Sequence, residues 1–366
     1  MNLTKAVPVK YMITQYASDI IGFIGRYTVL ADCARYPCLR HFEPHLIRGY
    51  KDMRISGFSF VRNGVKLYYP IVEAIKSILP ICDEFVVAVG KGDEDDDTRE
   101  RIASINDPKI KIIDTVWDPQ YCKRGAINSW QTDIAMKACS GDWLFYLQAD
   151  EVVHEADLPI IKARCEELLN DEEVEGLLFS YRHFWGDYQH YHTGHGWYPY
   201  EIRIVRNLAK IHSYQSAQSF RYFDVYEHPR QETNTRKLRV AKVNARIFHY
   251  GWVRPPHLMQ NKRRALDSVH WGRDKAEEYY KKAPQYFDYG PLDRLGQYRD
   301  THPAVMAEMI KEMNWSDKLQ FSGKPNPFRT PHKHEILRVR LLSWFERNLN
   351  GGRQLGTFKN YHLLNR

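Results

Sequence analysis

The sequence predicts an α/β protein, a mixed sheet flanked by helices and continued by a mainly helical C-terminal region. Three observations carry this. Between Ile55 and Leu147, short β-rich apolar runs alternate with helix-patterned stretches across short connections, the pattern of a parallel sheet. Phe85–Val89 and Trp143–Leu147 are apolar throughout, as strands covered on both faces are. Beyond Pro255-Pro256 the spacing becomes helical. At roughly 100–200 residues per domain, 366 residues make two domains or one elaborated domain.

Residues 1–54 mix short apolar pieces with Pro8, Pro37 and Pro44 and read as an N-terminal extension. Ile55–Arg62 is the first strand and turns at Asn63-Gly64. The helix Leu67–Leu79 sets Ile71, Ile75, Ile78 and Leu79 on one face. Phe85–Val89 follows, then the acidic loop Gly90–Thr98, whose carboxylates favour the start of a helix over Arg99–Ser104. Ile110–Thr115 is the third strand, Ala126–Cys139 a helix ending at Ser140-Gly141, and Trp143–Leu147 the fourth strand. After a helix over Asp157–Asn170, strands are expected at Gly176–Tyr181, Glu201–Arg206, Arg239–Val243 and Arg246–Tyr250. Helices are expected at Leu258–Trp271, Asp274–Lys282, Ala304–Met313 and Glu335–Leu349. The resulting division is 1–54, 55–254 and 255–366.

With 43% hydrophobic, 13% aromatic and 27% charged residues, the chain can bury a core, which excludes disorder as its main state. The net charge of +8 suits an anionic partner. No apolar run reaches the roughly 18–20 residues of a membrane span, and no secretory leader pattern stands at the start. The six cysteines show no C-x-x-C spacing and read as reduced thiols of a cytoplasmic protein. Basic residues are scattered, with Lys262-Arg263-Arg264 the sharpest cluster, which argues against nucleic acid as the partner.

Chemistry concentrates in Gly141–Glu151, where an apolar strand ends in the two carboxylates of Asp150 and Glu151. Ligands of open parallel sheets bind beyond the carboxyl ends of the strands, and carboxylates there suit Mg²⁺ or Mn²⁺. The same pair also reads as a cap for the helix near Asp157.

An Asn-Gly turn after the first strand, a Gly/Asp loop after the second and an acidic end to the fourth together resemble family-2 glycosyltransferases of the GT-A (Rossmann-like) fold. Such enzymes build, among other products, bacterial surface polysaccharides. The resemblance covers roughly Ile55–Val253. It implies that Val61, Arg62 and Asn63 contact the nucleotide, and that Gly90 and Asp93 lie in the loop holding base and ribose. Gln148-Ala149-Asp150-Glu151 stands where the family has a D-x-D motif for metal and sugar diphosphate. Gln148 replaces the first acid; Asp150 keeps the second and is the expected ligand of Mn²⁺ or Mg²⁺. His249, in Phe248-His249-Tyr250-Gly251-Trp252, matches a histidine that returns to the metal. Arg203 and Arg206 are expected to share one strand face and meet a diphosphate or acidic acceptor.

The activity implied is inverting transfer of a sugar from a nucleotide-sugar donor to a glycan or lipid-linked acceptor, with Glu227, Glu201 and Glu151 as candidate bases. Trp185, Trp197 and Tyr198 are the expected acceptor stackers, in an aromatic loop whose His190, His192 and His195 are not read as a zinc site. Over His332–Leu349, Ile336, Val339, Leu342, Phe345 and Leu349 form a stripe flanked by Lys333, Arg338, Arg340 and Arg347. That pattern fits either packing on the catalytic domain or peripheral contact with an anionic membrane. Competing readings are a nucleotidyltransferase, for which Val61–Lys66 is too poor in glycine, a nucleic-acid-binding protein, and a degenerate GT-A scaffold suggested by Gln148.

Overall fold

The computed structural model describes residues 52–366 apart from 119, 120 and 123, so the extension expected at 1–54 lies almost wholly outside the described residues. Strand β1 (Ile55–Val61) crosses through helix α1 (Ile71–Ile78) to β2 (Glu84–Gly90). The helix starts at Ile71 rather than Leu67 because Pro70 precedes it, and the Leu67 amide donates to the Asn63 carbonyl in a turn, at 3.0 Å. Ile71, Ala74, Ile75 and Ile78 are its buried face. Helix α2 (Thr98–Ala103), strand β3 (Ile110–Thr115), helix α3 (Ala126–Lys137) and strand β4 (Trp143–Tyr146) complete a parallel half-sheet ordered β3-β2-β1-β4.

Every residue of β2 is buried, which is why it reads as an unbroken apolar run. Its one acid, Glu84, is fully engaged: it accepts from Ser56 Oγ at 2.7 Å, from the Ser140 amide at 2.6 Å and from Lys111 Nζ at 2.5 Å. Burial opposes ionisation there, and these donors outweigh it, holding the carboxyl down to about 2.

The second half of the sheet comprises β5 (Glu151–Val153), β6 (Gly176–Trp185), β7 (His190–Tyr191), β8 (Tyr200–Arg206), β9 (Ile211–Tyr214), β10 (Ser219–Phe223) and β11 (Thr235–Trp252), with helix α4 (Leu158–Glu167) between β5 and β6. β8 runs antiparallel to β4 and β6, whereas β6 and β11 are parallel, giving the path β3-β2-β1-β4-β8-β6-β11-β10-β9. This is the expected mixed sheet flanked by helices. The strands expected at Arg239–Val243 and Arg246–Tyr250 are one long strand, with a register shift against β6 between Lys242 and Arg246. β5 pairs antiparallel with β11 and sets Glu151 opposite His249.

Helices α5 (Pro256–Trp271) and α6 (Arg273–Lys282), strand β12 (Gly296–Gln297), helices α7 (Ala307–Lys311) and α8 (Leu337–Leu349), and strand β13 (Tyr361–Leu363) follow. The C-terminal region is thus mainly helical, as expected, but it rejoins the sheet: β12 pairs with β7 and β13 lies parallel to β11. One apolar cluster unites Trp185, Phe248 and Tyr250 of the sheet with Phe287, Leu292 and Trp315 beyond residue 255. Each such ring is worth about 2 kcal/mol in water-excluded area.

Helix α8 packs in an unexpected way. Ser343 and Glu346 are buried, with Ile336, Val339 and Leu342 half-buried, while Leu337, Leu341, Trp344, Phe345 and Leu349 are exposed. Glu346 turns inward because it accepts from His195 Nδ1 at 2.9 Å and from the Leu355 amide at 2.7 Å. No helix among the described residues is long and apolar enough to cross a membrane.

Candidate active site

The loops after β1 and β2 are knitted together at the carboxyl edge of the parallel strands. Asn63 takes a left-handed conformation (φ 53°), and its Oδ1 accepts from the Asp93 amide at 2.8 Å. Arg62 Nε donates to the Lys91 carbonyl at 2.9 Å, and its guanidinium lies over the Trp117 ring. Lys66 bonds Asp93 and Asp95, and the Val65 and Lys66 amides reach Thr98 and Asp96. Much of the acidic loop therefore serves to fasten the β1 turn. Beside Gly90 an open cleft of about 380 Å³ is lined by Val89, Lys91, Asp96, Arg99 and Thr115. Val61 is buried, so at this edge it offers its backbone.

At the end of β4, Gln148 turns its amide nitrogen to the Ala217 carbonyl at 2.9 Å, and Ala149 is buried. Glu151, fully buried, is gripped side-on by Arg203, whose Nε and Nη2 each donate at 2.7 Å; Tyr181 adds its hydroxyl at 2.8 Å. This closed pair corrects the expectation of a base at Glu151 and of a diphosphate ligand at Arg203. Strand side chains repeat every two residues, so Arg203 and Arg206, three apart, do not share a face. Arg206 instead caps the carbonyls of Leu168, Leu169 and Asp171 below α4 and stacks on Trp143.

β11 delivers His249 to the same edge. Its Nδ1 lies 3.0 Å from Nδ1 of His183, whose Nε2 lies 2.8 Å from the Tyr198 carbonyl. A carbonyl only accepts, so His183 carries its proton on Nε2 and its bare Nδ1 accepts from His249. Burial keeps both rings neutral, pushing His183 down to about 3 and His249 to about 4. The lone pair on His249 Nε2 is then 3.9 Å from Asp150 Oδ2. Trp197 and Tyr198 lie beside this pair, against His183, whereas Trp185, expected with them as an acceptor stacker, is buried against Trp252 and Phe287 with its Nε1 donating to the Tyr289 carbonyl at 3.0 Å.

Two residues with no assigned site role in the sequence reading complete the edge. Lys262, from α5, donates to Asp150 Oδ2 at 2.9 Å and to the Gly251 carbonyl at 2.7 Å. Arg254, fully buried, donates Nη1 to the Leu67 carbonyl at 2.5 Å and lies over the Tyr69 ring. Burial, with Arg254 nearby, presses Lys262 down to about 8 against the pull of Asp150. Burial would raise the Asp150 carboxyl, but the Lys262 ammonium, with Arg254 nearby, holds it well below the usual range. The only signal for Lys262 was its place in a short basic cluster; Arg254 precedes the Pro-Pro that starts α5.

A divalent cation needs several oxygen or nitrogen ligands about one point. Asp150 and His249 approach each other, yet the oxygen facing the imidazole already carries the Lys262 ammonium, and Gln148 is turned away. Among the described residues no group of three His, Cys, Asp or Glu could hold a metal. The donor set expected for Mn²⁺ or Mg²⁺ therefore does not assemble here, and no step is derived through one.

Of the remaining carboxylates, Glu227 is exposed in the loop before Gln231, far from the burial a groove base would show. Glu201 is buried at the start of β8, with Oε2 lacking a partner; burial raises it to about 7 against the pull of Arg203. The zinc-like histidines disperse: His190 meets Asp187, His195 meets Glu346, and His192 stacks on Trp197.

No protein-family model and no curated protein matches the chain. Among solved structures it is similar to S. aureus TarS 1-349, at 19% identity and TM-score 0.26 over 36% of each chain. A longer S. aureus TarS structure matches at 16% identity and TM-score 0.29, over 42% of this chain and 28% of that one. Glucosyl-3-phosphoglycerate synthase from Mycobacterium tuberculosis, in complex with Mn²⁺, UDP and phosphoglyceric acid, matches at 20% identity and TM-score 0.26, over 36% of this chain and 43% of that one. The chain thus spans less than half the length of these structures.

Proposed function

We propose that the protein is a glycosyltransferase of the GT-A type, moving a sugar from a nucleoside-diphosphate donor to a hydroxyl of a glycan or lipid-linked acceptor. One observation carries this: the loops after β1 and β2, the end of β4 and His249 of β11 converge on one edge of the mixed sheet, at the carboxyl ends of its parallel strands. The donor's base and ribose would lie against Asn63, Gly90 and Asp93, beside Arg62 and Trp117, and its diphosphate near Gln148 and Asp150. The acceptor would stack on Trp197 and Tyr198.

In an inverting transfer the acceptor oxygen bonds the anomeric carbon while the bond from that carbon to the diphosphate oxygen breaks. The electron pair leaves with the diphosphate, and the hydroxyl proton passes to a base. Glu201, raised toward neutrality and with an unpartnered oxygen, is the carboxyl suited to that role. A thermal-shift screen over nucleoside diphosphates and nucleotide sugars tests the reading. One nucleotide class should raise the melting temperature, and silence across the whole panel would overturn the assignment.

The exposed stripe Leu337, Leu341, Trp344 and Leu349, beside Arg338, Arg340 and Arg347, favours peripheral contact with an anionic membrane face, on the cytoplasmic side. Co-sedimentation with phosphatidylglycerol-containing vesicles, lost in Leu341→Glu/Trp344→Glu and absent with pure phosphatidylcholine, is the expected result.

A further inference from the structure

We infer that Lys262 and Arg254 take the place of a divalent cation at this site, binding the donor's diphosphate and stabilising it as it leaves. The inference rests on the nucleotide-sugar reading and adds to it the identity of the groups that hold the leaving group.

The charge balance points this way. One carboxylate, Asp150, faces the Lys262 ammonium and the Arg254 guanidinium, and the neighbouring carboxylate, Glu151, is already matched by Arg203. Two cations against one anion leave a surplus positive charge at the end of β4, in a setting where an uncompensated charge is costly. Asp150, Lys262 and His249 keep 6%, 8% and 7% exposure at the floor of the edge, and Arg254, with none, lies behind them.

Arg254 gives the second, independent sign. The side-on edge made by Nε and Nη2 is the edge by which Arg203 grips Glu151. In Arg254 the same two nitrogens are buried without a well-formed hydrogen bond, while Nη1 bonds the Leu67 carbonyl and the Tyr69 side chain lies against the guanidinium. Buried guanidinium edges are normally satisfied, and this one matches the paired oxygens of a phosphate. Lys262 commits two of its three protons, to Asp150 and to the Gly251 carbonyl, which leaves one N–H for a ligand. Tyr69 lies beneath both cations, 4.7 Å from the Arg254 guanidinium and 4.9 Å from the Lys262 nitrogen.

On this arrangement Asp150 aims the ammonium instead of ligating a metal. As the carbon–oxygen bond breaks, the diphosphate gains one negative charge, which fixed cations can stabilise without reorganising. The acceptor proton goes to the general base as described above.

Calorimetric titration with UDP, GDP and TDP, in EDTA and in MnCl₂, tests the inference with wild type, Asp150→Asn, and Lys262→Met in the Asp150→Asn background. The double variant avoids stranding a buried carboxylate, and melting curves check that each variant folds. One diphosphate should bind wild type in EDTA within about threefold of its affinity in Mn²⁺. Asp150→Asn should bind as well or better, because it frees the ammonium, whereas loss of Lys262 should weaken binding at least tenfold. Binding that requires Mn²⁺, or that Asp150→Asn abolishes, or that ignores Lys262, overturns the inference. No binding of any diphosphate in either condition overturns the nucleotide-sugar reading itself, and this inference with it.

Discussion

His183 and His249 share a single proton between their Nδ1 atoms, 3.0 Å apart. The Tyr198 carbonyl on the far side of His183 fixes the direction of that bond. In ¹⁵N spectra, His249 should therefore show a protonated Nδ1 and a bare Nε2, and His183 the reverse. Both rings are held neutral by burial, near 3 and 4, so neither should titrate above about pH 5. Their folded values lie below the unfolded one. The stability they contribute is present near neutrality and is lost as pH falls from about 6.5 through 4. A histidine titrating near 6.5 at either position would contradict the geometry.

Glu201 shows the opposite pH dependence. Its carboxyl is raised from 4.5 to about 7 by burial, so the folded state binds the proton more tightly than the unfolded chain. Stability is then full below about pH 4.5 and declines as pH rises through 7, by on the order of 3 kcal/mol. Glu201→Gln should flatten that decline in urea unfolding measured between pH 4 and 8. It should be more stable than wild type at pH 8 and comparable at pH 4. If Glu201 is also the base, the same variant loses transfer activity while keeping donor affinity.

The Arg203–Glu151 pair is closed to solvent on both sides. Arg203→Met should cost about 3–5 kcal/mol by leaving the Glu151 carboxylate buried with only the Tyr181 hydroxyl and a backbone amide. Adding Glu151→Gln should recover a large part of that loss. Equal destabilisation in the single and double variants would show that packing, not charge, holds this part of the sheet.

Gly251 leaves space that the site needs. A Cβ there would stand 2.5 Å from His249 Nε2 and 2.7 Å from Asp150 Oδ2. Gly251→Ala should push these groups apart and weaken nucleoside diphosphate binding about tenfold, or ~1.4 kcal/mol. The melting temperature should fall by only a few degrees, since the change is confined to the rim of the core. Unaltered binding would mean that the ligand does not approach this face of β11.

The parallel half of the sheet was legible because its strands are short, apolar and separated by helix periods; β3 matches its expected range Ile110–Thr115. Helix α1 begins at Ile71 because Pro70 interrupts the helical periodicity that the sequence shows from Leu67. Strands β9 and β10 leave little sequence signal because Ile211–Tyr214 and Ser219–Phe223 are brief and mix polar with aromatic residues. At the site, Asn63, Asp150 and His249 fall at strand ends, where local pattern points to chemistry. Lys262 and Arg254 could not be found that way, because a cation's partner across the fold leaves no mark on its neighbours in sequence. Helix α8 misled for a related reason: its inward side is set by the Glu346–His195 bond, which hydrophobic spacing does not encode.

The bond from Lys262 to Asp150 spans 112 residues of chain. At about 5–20 residues per second, a ribosome adds that segment over roughly 6–22 s. The first four strands can assemble during that interval, with the Asp150 carboxylate at their edge and its counter-charge not yet synthesised. The nascent half-sheet is therefore left with an electrostatic vacancy that α5 fills on emergence. Docking of that helix would thus be a late, charge-directed step of biogenesis, and Lys262 would help assemble the edge at which it later serves.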